Sequence, residues 1–393
     1  MSIVIDLGFG DAGKGVTVDY LCSRFPVGTR ILVARFSGGH QAGHTVQLGD
    51  FRHTFSNFCS GSLRGVPSYF GPATVVFPPA ILAEWQAIGR YRPTLLIHPL
   101  ASVCVPQDIA WNRALERLHG HGSCGVGYGT AVERGRAGIL LSAKDLDCGW
   151  IFAQKLKGIG LYYEELISRR NTGLLAELYC KEIDGQTDEA FMDACVQARP
   201  LYGLAGLRSL GSKYDQLILE GSQGILLDAE EGAYPHLSWG SVTSQAAMAF
   251  LLELLPADLD GIDVTYVTRC YQTRHGAGPM SSSQPVALLH PETEANVSGP
   301  WQGPFRTATL DSALLAHSLR SDRARMEAGL SEIETRLGRA IPLRRRLVIT
   351  CLDQLPGFDA LSLAEALERD TDLRFDSVLG GSSPDSSTMR LLR

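Results

Sequence analysis

Short runs with no polar alternation recur along this chain, at 3–7, 30–35, 74–77, 94–97, 216–219, 264–269 and 347–352, each ending near Gly, Asp, Pro or Arg. Continuous apolar runs of this length suit strands that are buried on both faces of a mostly parallel sheet. Between them, 79–91, 108–119, 241–255 and 310–336 read as helices. The alternation predicts an α/β fold, a large mostly parallel central sheet flanked by helices, with the functional loops at the strand ends. The 393 residues, 45% of them hydrophobic, are enough for a large core. With no internal repeat, low-complexity tract or Pro/Gly/Ser-rich linker, 1–393 is expected to form a single domain.

A formal net charge of −6 weighs against a broad nucleic-acid footprint, although a local basic cleft could still hold phosphates. The nine cysteines are scattered, odd in number and without a C-x-x-C pair, which points to reduced thiols rather than zinc or redox chemistry. No stretch approaches the roughly 18 uninterrupted apolar residues of a membrane span. The opening MSIVIDLGFGDAGKG reads as a strand entering a loop, with no cleavable leader. The expectation is a cytoplasmic protein with small-molecule partners and neither nucleic-acid nor membrane partners. The run Arg344, Arg345, Arg346 reads as a solvated edge before a strand rather than as a phosphate site.

Two glycine-rich loops carry the chemistry. Gly8-Phe9-Gly10-Asp11-Ala12-Gly13-Lys14-Gly15 follows the first strand and precedes a helix, with the Gly-x-x-x-x-Gly-Lys spacing of a P-loop. There, backbone N–H groups and a lysine surround phosphate oxygens. Gly15 stands where a P-loop has the Ser or Thr that holds Mg²⁺, so a metal ligand must come from elsewhere, and Asp11 is the nearest carboxylate. Ser37-Gly38-Gly39-His40-Gln41-Ala42-Gly43-His44-Thr45 follows the second strand, its glycines allowing close backbone approach and its histidines suiting acid chemistry or phosphate binding. Loops after neighbouring strands can meet at the carboxyl edge of one sheet.

The two loops closely resemble the N-terminal signatures of the adenylosuccinate synthetase family, WGDEGKGK-x-VD and GG-x-NAGHT. In the family's order follow Glu220-Gly221-Ser222-Gln223-Gly224, similar to EGAQG, and Tyr271-x-Thr273-Arg274-x-Gly276-Ala277-Gly278-Pro279, similar to YSTRVGAGP. Thr350-Cys351-Leu352-Asp353 stands at TKLD and Ser383-Pro384-Asp385 at the terminal GPD. The chain is identified as a diverged member with a P-loop-like, GTPase-related fold.

The resemblance implies a carbon–nitrogen ligase of purine nucleotide biosynthesis. GTP (or ATP) phosphorylates the 6-oxygen of an IMP-like nucleotide, and an amine then displaces the phosphate. It makes Asp11 the base that removes the N1 proton and a Mg²⁺ ligand, with the Gly43 carbonyl completing part of the metal shell. It makes His44 the acid at the transferring phosphoryl group and sets Lys14 on phosphate. Nucleotide contacts are implied for Gly10, Gly13, Gly15, Gln41, Ser123, Cys124, Gln223, Ser238, Arg274, Arg306, Asp353 and Ser383. A homodimer is implied as well, with Arg134 and Arg136 both open as the arginine lent across its interface. A nucleotide-binding regulatory protein of the same fold without amination activity is the alternative.

Several residues depart from the family. Gln41 replaces the asparagine of NAGH, Ala12 the glutamate of GDEGKG, and Cys124 a threonine. In the segment 296–311 the family has TTGRRRRTGWLD, whose arginines clamp the carboxylates of aspartate. Here Gly303, Pro304 and Phe305 stand at three of those arginines, and only Arg306 is kept. The expectation is an amine other than aspartate. The chain is also shorter than typical members, mostly after Asp353, so base recognition is less determined than phosphate recognition.

Overall fold

The computed structural model describes residues 1–393 apart from 171, 172, 212 and 297; position 297, in the segment set against the arginine run, lies outside the described residues. Along the first strand, Ser2–Asp6, side chains alternate in direction, so Val4 enters one hydrophobic cluster while Ile3 and Ile5 enter another. The same split recurs in Ile31–Arg35, where Val33 and Leu32 part company. The sheet therefore has a core on each face and must be covered on both.

Ten strands make this sheet, in the order Gly203–Leu204, Leu95–Ile97, Ser68–Phe70, Ile31–Arg35, Gln216–Gly224, Ser2–Asp6, Ile262–Arg269, Leu343–Thr350, Ser377–Gly380, Arg390–Leu391. All neighbours are parallel except the last pair. The first strand lies centrally, its Ser2 level with Ile218 on one side and Asp263 on the other. The carboxyl ends of Ile31–Arg35, Gln216–Gly224, Ser2–Asp6, Ile262–Arg269 and Leu343–Thr350 consequently share one edge, where an open α/β sheet places its ligand.

The expected helices are present as Pro78–Ile88, Pro106–His119, Ser244–Leu254 and Ser312–Leu337. The first ends early because residues Gly89–Tyr91 tighten into a 3₁₀ turn, and the third because Leu255 turns into the left-handed region at φ 34°. Residues 149–198 hold three helices that no strand-like run announced, and Gly149–Arg170 buries Phe152, Leu156, Ile159 and Tyr163 at helical spacing.

Two expectations are corrected. The run at 74–77 joins not the large sheet but a separate small one, where Thr74–Val76 pairs with Gly38–Gly39 and Ser102–Val103. The reason is close backbone contact: a Cβ on Gly39 would lie 2.3 Å from the Val75 carbonyl oxygen. The large sheet instead takes Ser68–Phe70 beside Ile31–Arg35. The arginine run does not precede its strand but lies within Leu343–Thr350, with Arg344 Nε bonded to Asp263 at 2.6 Å and Arg346 Nε to Ser377 Oγ at 3.2 Å. Among the described residues, no helix is long and apolar enough to cross a membrane.

Candidate active site

The first loop is organised by the carboxylate that ends the first strand. Asp6 accepts from Gly8 N at 2.8 Å, Ala12 N at 3.1 Å and Lys14 Nζ at 3.0 Å. Both partners of this ion pair are buried. Gly10 and Gly13 adopt φ of 90° and 97°, and Gly13 could bear no side chain, since a Cβ would meet Thr350 Cγ2 at 2.7 Å. Gly15 is crowded as well: a Cβ would lie 3.0 Å from His44 Cβ and 3.1 Å from Thr45 O. The second loop thus packs on the first turn of helix Lys14–Arg24, where a P-loop would carry its Ser or Thr. That helix N-terminus is a favourable place for anionic oxygens.

The second loop is tied down from below. Arg35, wholly buried, donates to the carbonyls of Ala42 at 3.0 Å, Phe55 at 3.1 Å and Ser56 at 3.3 Å, and lies 3.7 Å from Glu220. Glu220 also meets His44 Nδ1 at 2.7 Å and accepts from Ser60 Oγ. Burial opposes the charge on Glu220, but His44, Arg35 and Ser60 outweigh it and hold the carboxyl down at about 2. Burial lowers the pKa of His44 despite the pull of Glu220. Fixing Nδ1 on a carboxylate orients the ring and leaves Nε2, 3.4 Å from Ser222 O, at the cavity wall.

Asp11 is held at both ends. Its φ of 59° is unusual for a residue with a side chain. Arg269 Nε donates to its carbonyl oxygen at 2.6 Å, and His275 Nδ1 lies 2.9 Å from its Oδ2. Burial opposes its charge, yet the hydrogen bond and charge of His275, with Arg269 and Lys14, bring the carboxyl below its ordinary value. Arg269 is itself paired with Glu294.

These elements wall a cavity of about 930 Å³. The structure brings together at it Asp11, Gly13, Lys14, Gly15, Gln41, Gly43, His44, Ser123, Cys124, Gln223, Ser238, Arg274 and Ser383. Three other residues singled out in the sequence lie off this wall. Gly10 faces a smaller space behind the loop, Arg306 donates to Gly278 O, and Asp353 sits behind Gln354, whose Nε2 is 3.1 Å from its Oδ2. Both polar atoms of the Gln41 amide, buried at the wall, lack a hydrogen-bond partner among the described residues, as does Asp353 Oδ1. The orphaned Gln41 amide, in the cavity wall, calls for a ligand. The Cys124 thiol, 3.0 Å from Gln302 Nε2, is raised by burial to about 12 and stays protonated.

Arg134 is locked in the interior, bonded to Asp108 at 2.8 Å and to the carbonyls of Val103 and Ile139. Arg136 is exposed enough to reach outward, donating to Trp239 O at 2.8 Å. Asp6, Arg35, Glu220, Arg269 and His275 were not singled out as site residues in the sequence. Their signal was a charged residue ending an apolar strand, as in Asp6, Arg35 and Arg269; His275 gave no such signal.

A glycine-rich loop at a helix N-terminus, a carboxylate and a histidine at one sheet edge make this an α/β protein whose site suits an anionic ligand. A family model described as adenylosuccinate synthetase matches residues 3–375, and the chain belongs to that family. Adenylosuccinate synthetase of Paraburkholderia xenovorans (strain LB400) is 30% identical over 338 residues, covering 81% of this chain and 72% of that protein. Across six such relatives the matched part spans between 62% and 78% of their length. The fold is that of fully ligated adenylosuccinate synthetase from Plasmodium falciparum, with a TM-score of 0.69 at 17% identity over 100% of this chain and 99% of that one. It is also similar to succinoaminodeoxyadenylate synthetase of cyanophage S-2L, solved with dGMP and with dATP as an energy donor, at TM-score 0.62 and 19% identity over 99% and 94% of the chains.

Proposed function

We propose that this protein is a carbon–nitrogen ligase that phosphorylates the 6-oxygen of an IMP-like purine nucleotide from a nucleoside triphosphate and replaces that oxygen with an amine. The observation that carries the reading is the presence, on one cavity wall, of an oriented carboxylate at Asp11 and an oriented imidazole at His44. A purine 6-oxo group is a poor leaving group. Asp11 takes the N1 proton, so that O6 becomes nucleophilic and attacks the terminal phosphorus, whose bond to the bridging oxygen breaks as the nucleoside diphosphate leaves. The helix N-terminus and Lys14 face the charge on that group, and the same charge keeps His44 protonated when the polyphosphate is bound, with Nδ1–H on Glu220 and Nε2–H turned to a phosphoryl oxygen. The amine nitrogen then attacks C6, the C6–O6 bond breaks with O6 leaving on phosphate, and the nitrogen gives up its extra proton to the departing phosphate or to solvent.

Mg²⁺ fits this site as a companion of the polyphosphate. Among the described residues, no three His, Cys, Asp or Glu side chains converge on a cation. Asp11 and the Gly43 carbonyl would supply the protein's share of the shell and phosphate oxygens the rest, as Mg²⁺ commonly binds. The ion supplies neutralisation of phosphate charge.

For the donor, the place of Asp353 in the family's TKLD motif supports GTP, since guanine offers N1–H and N2–H₂ donors to a carboxylate and adenine does not. For the acceptor, the Gln41 and Gln223 amides and Ser123 and Ser238 serve the nucleotide, with Arg274, held by the carbonyls of Pro279 at 2.6 Å and His236 at 2.8 Å, at the same wall. For the amine, the arginine run that the family sets at this segment is reduced to Arg306. Phe305 occupies an arginine position and packs on His275, Arg306 gives Nη2 to the Gly278 carbonyl, and the guanidinium groups of Arg113 and Arg117 lie 5.2 Å and 4.9 Å from the Trp301 ring. An amine less acidic than aspartate is the natural substrate. We further propose a cytoplasmic homodimer in which Arg136 is the arginine available to a neighbouring site. Release of phosphate from GTP or ATP, with a panel of purine monophosphates and with or without amines, tests the whole reading. Phosphate release that needs neither acceptor nor amine would sink it.

A further inference from the structure

Two departures from the family's motifs meet in this fold. Position 275 holds histidine where YSTRVGAGP has valine, and position 305 holds phenylalanine where the arginine run stands. The strands Gln272–His275 and Phe305–Ala308 pair antiparallel, and His275 and Phe305 are direct register partners. Their rings lie 4.8 Å apart at 54°. Cross-strand neighbours of this kind interact directly, so the two residues act as one unit. The strand end that carries them is fixed: Gly276 has φ 76°, and a Cβ there would meet the Gln302 carbonyl oxygen at 3.0 Å.

This unit points at Asp11. The imidazole Nδ1 is 2.9 Å from Oδ2, and the same Phe305 ring lies 5.5 Å from the guanidinium of Arg269, whose Nε holds the Asp11 carbonyl oxygen at 2.6 Å. A short side chain in the left-handed backbone region is thereby gripped at its backbone from the end of the large sheet and at its carboxylate from the small one. Valine at 275 could donate nothing to it.

We propose that His275 is a positioning residue for the catalytic base. Its Nδ1–H holds Oδ2 of Asp11, which presents Oδ1 to the acceptor's N1–H, and Phe305 holds the imidazole in turn. The inference rests on the reaction proposed above only for the identity of the proton removed. A carboxylate already aimed needs no reorientation when the acceptor binds, and misplacing a reacting group by about 1 Å costs about 10²-fold in rate.

The test compares His275→Val with His275→Asn, whose amide nitrogen stands where Nδ1 does, by turnover and by calorimetric affinity for the purine monophosphate. The proposal expects His275→Val to lose about 10²-fold in kcat with unchanged nucleotide affinity and melting temperature, and His275→Asn to recover most of the loss. In an Asp11→Ala background His275→Val should change nothing further. Equal losses in the Val and Asn variants, or an undiminished effect without Asp11, would overturn it. If His275→Val fails to fold, His275→Gln, which matches Nε2 instead, takes its place. If the unaltered protein turns over no purine in the panel, the proposed reaction fails separately. Nitrogen-15 histidine spectra then decide the positioning contact: an Nδ1-protonated ring at His275 that shifts in Asp11→Ala supports it, and an Nε2-protonated ring indifferent to that change refutes it.

Discussion

Replacing Glu220 with glutamine tests the electrostatic foundation of the site. The carboxylate is fully buried between His44, Arg35 and Ser60, and its pKa stands at about 2 against an ordinary 4.5. One pKa unit corresponds to about 1.4 kcal/mol, so the ionised form contributes on the order of 3 kcal/mol to folding. The sign follows from the depression: the contribution is complete above pH 4.5 and is lost as pH falls towards 2. His44 acts in the same direction, because its folded pKa is below the ordinary 6.5 and the unfolded chain therefore takes up a proton first as pH falls. Glu220→Gln keeps the shape but leaves Arg35 buried without its counter-ion, a change that typically costs about 3–5 kcal/mol. Melting temperatures from pH 7 down to pH 3 should show a deficit of several degrees in the variant at neutral pH that narrows as pH falls. An unchanged melting temperature at pH 7, or a deficit constant with pH, would refute the network.

Asp11→Ala and His44→Ala should each lower turnover by about 10²–10⁴-fold, measured as phosphate release, while nucleotide binding survives in calorimetry; near-wild-type rates in both would remove the proposed chemistry. L-Aspartate should be a poor amine donor, since two missing charge-assisted hydrogen bonds cost about 3–6 kcal/mol. Saturation at sub-millimolar aspartate with adenylosuccinate as product would contradict this. GTP should be preferred over ATP, and Asp353→Asn should erase the preference; competition between the two nucleotides in one reaction decides it.

Much of the sheet was legible because Ile3, Val4 and Ile5 are apolar in succession, which only two-sided burial explains. The glycine-rich loops were legible because their spacing is a backbone requirement: Gly13 and Gly38 each leave no room for a Cβ, against Thr350 and Ser222. The site's supports were not. Glu220 and Arg35 lie far apart in sequence and become partners only when Ile31–Arg35 and Gln216–Gly224 pair in register. His275 was invisible for the same reason, since its partner Asp11 precedes it by 264 residues. The three helices between 149 and 198 lacked the strand-like runs that organised the rest, and the placement of 74–77 turned on a backbone contact with Gly39 that no pattern of side chains encodes.

The central claim is that the purine's own 6-oxygen is phosphorylated and leaves with the phosphate. It is tested most directly by supplying an IMP-like nucleotide labelled with oxygen-18 at O6, GTP and a productive amine, and weighing the inorganic phosphate released by mass spectrometry. The account predicts one labelled oxygen in each phosphate and an aminated purine that has lost its label. Unlabelled phosphate, with the label retained on the purine, would show that the triphosphate is merely hydrolysed and would contradict it.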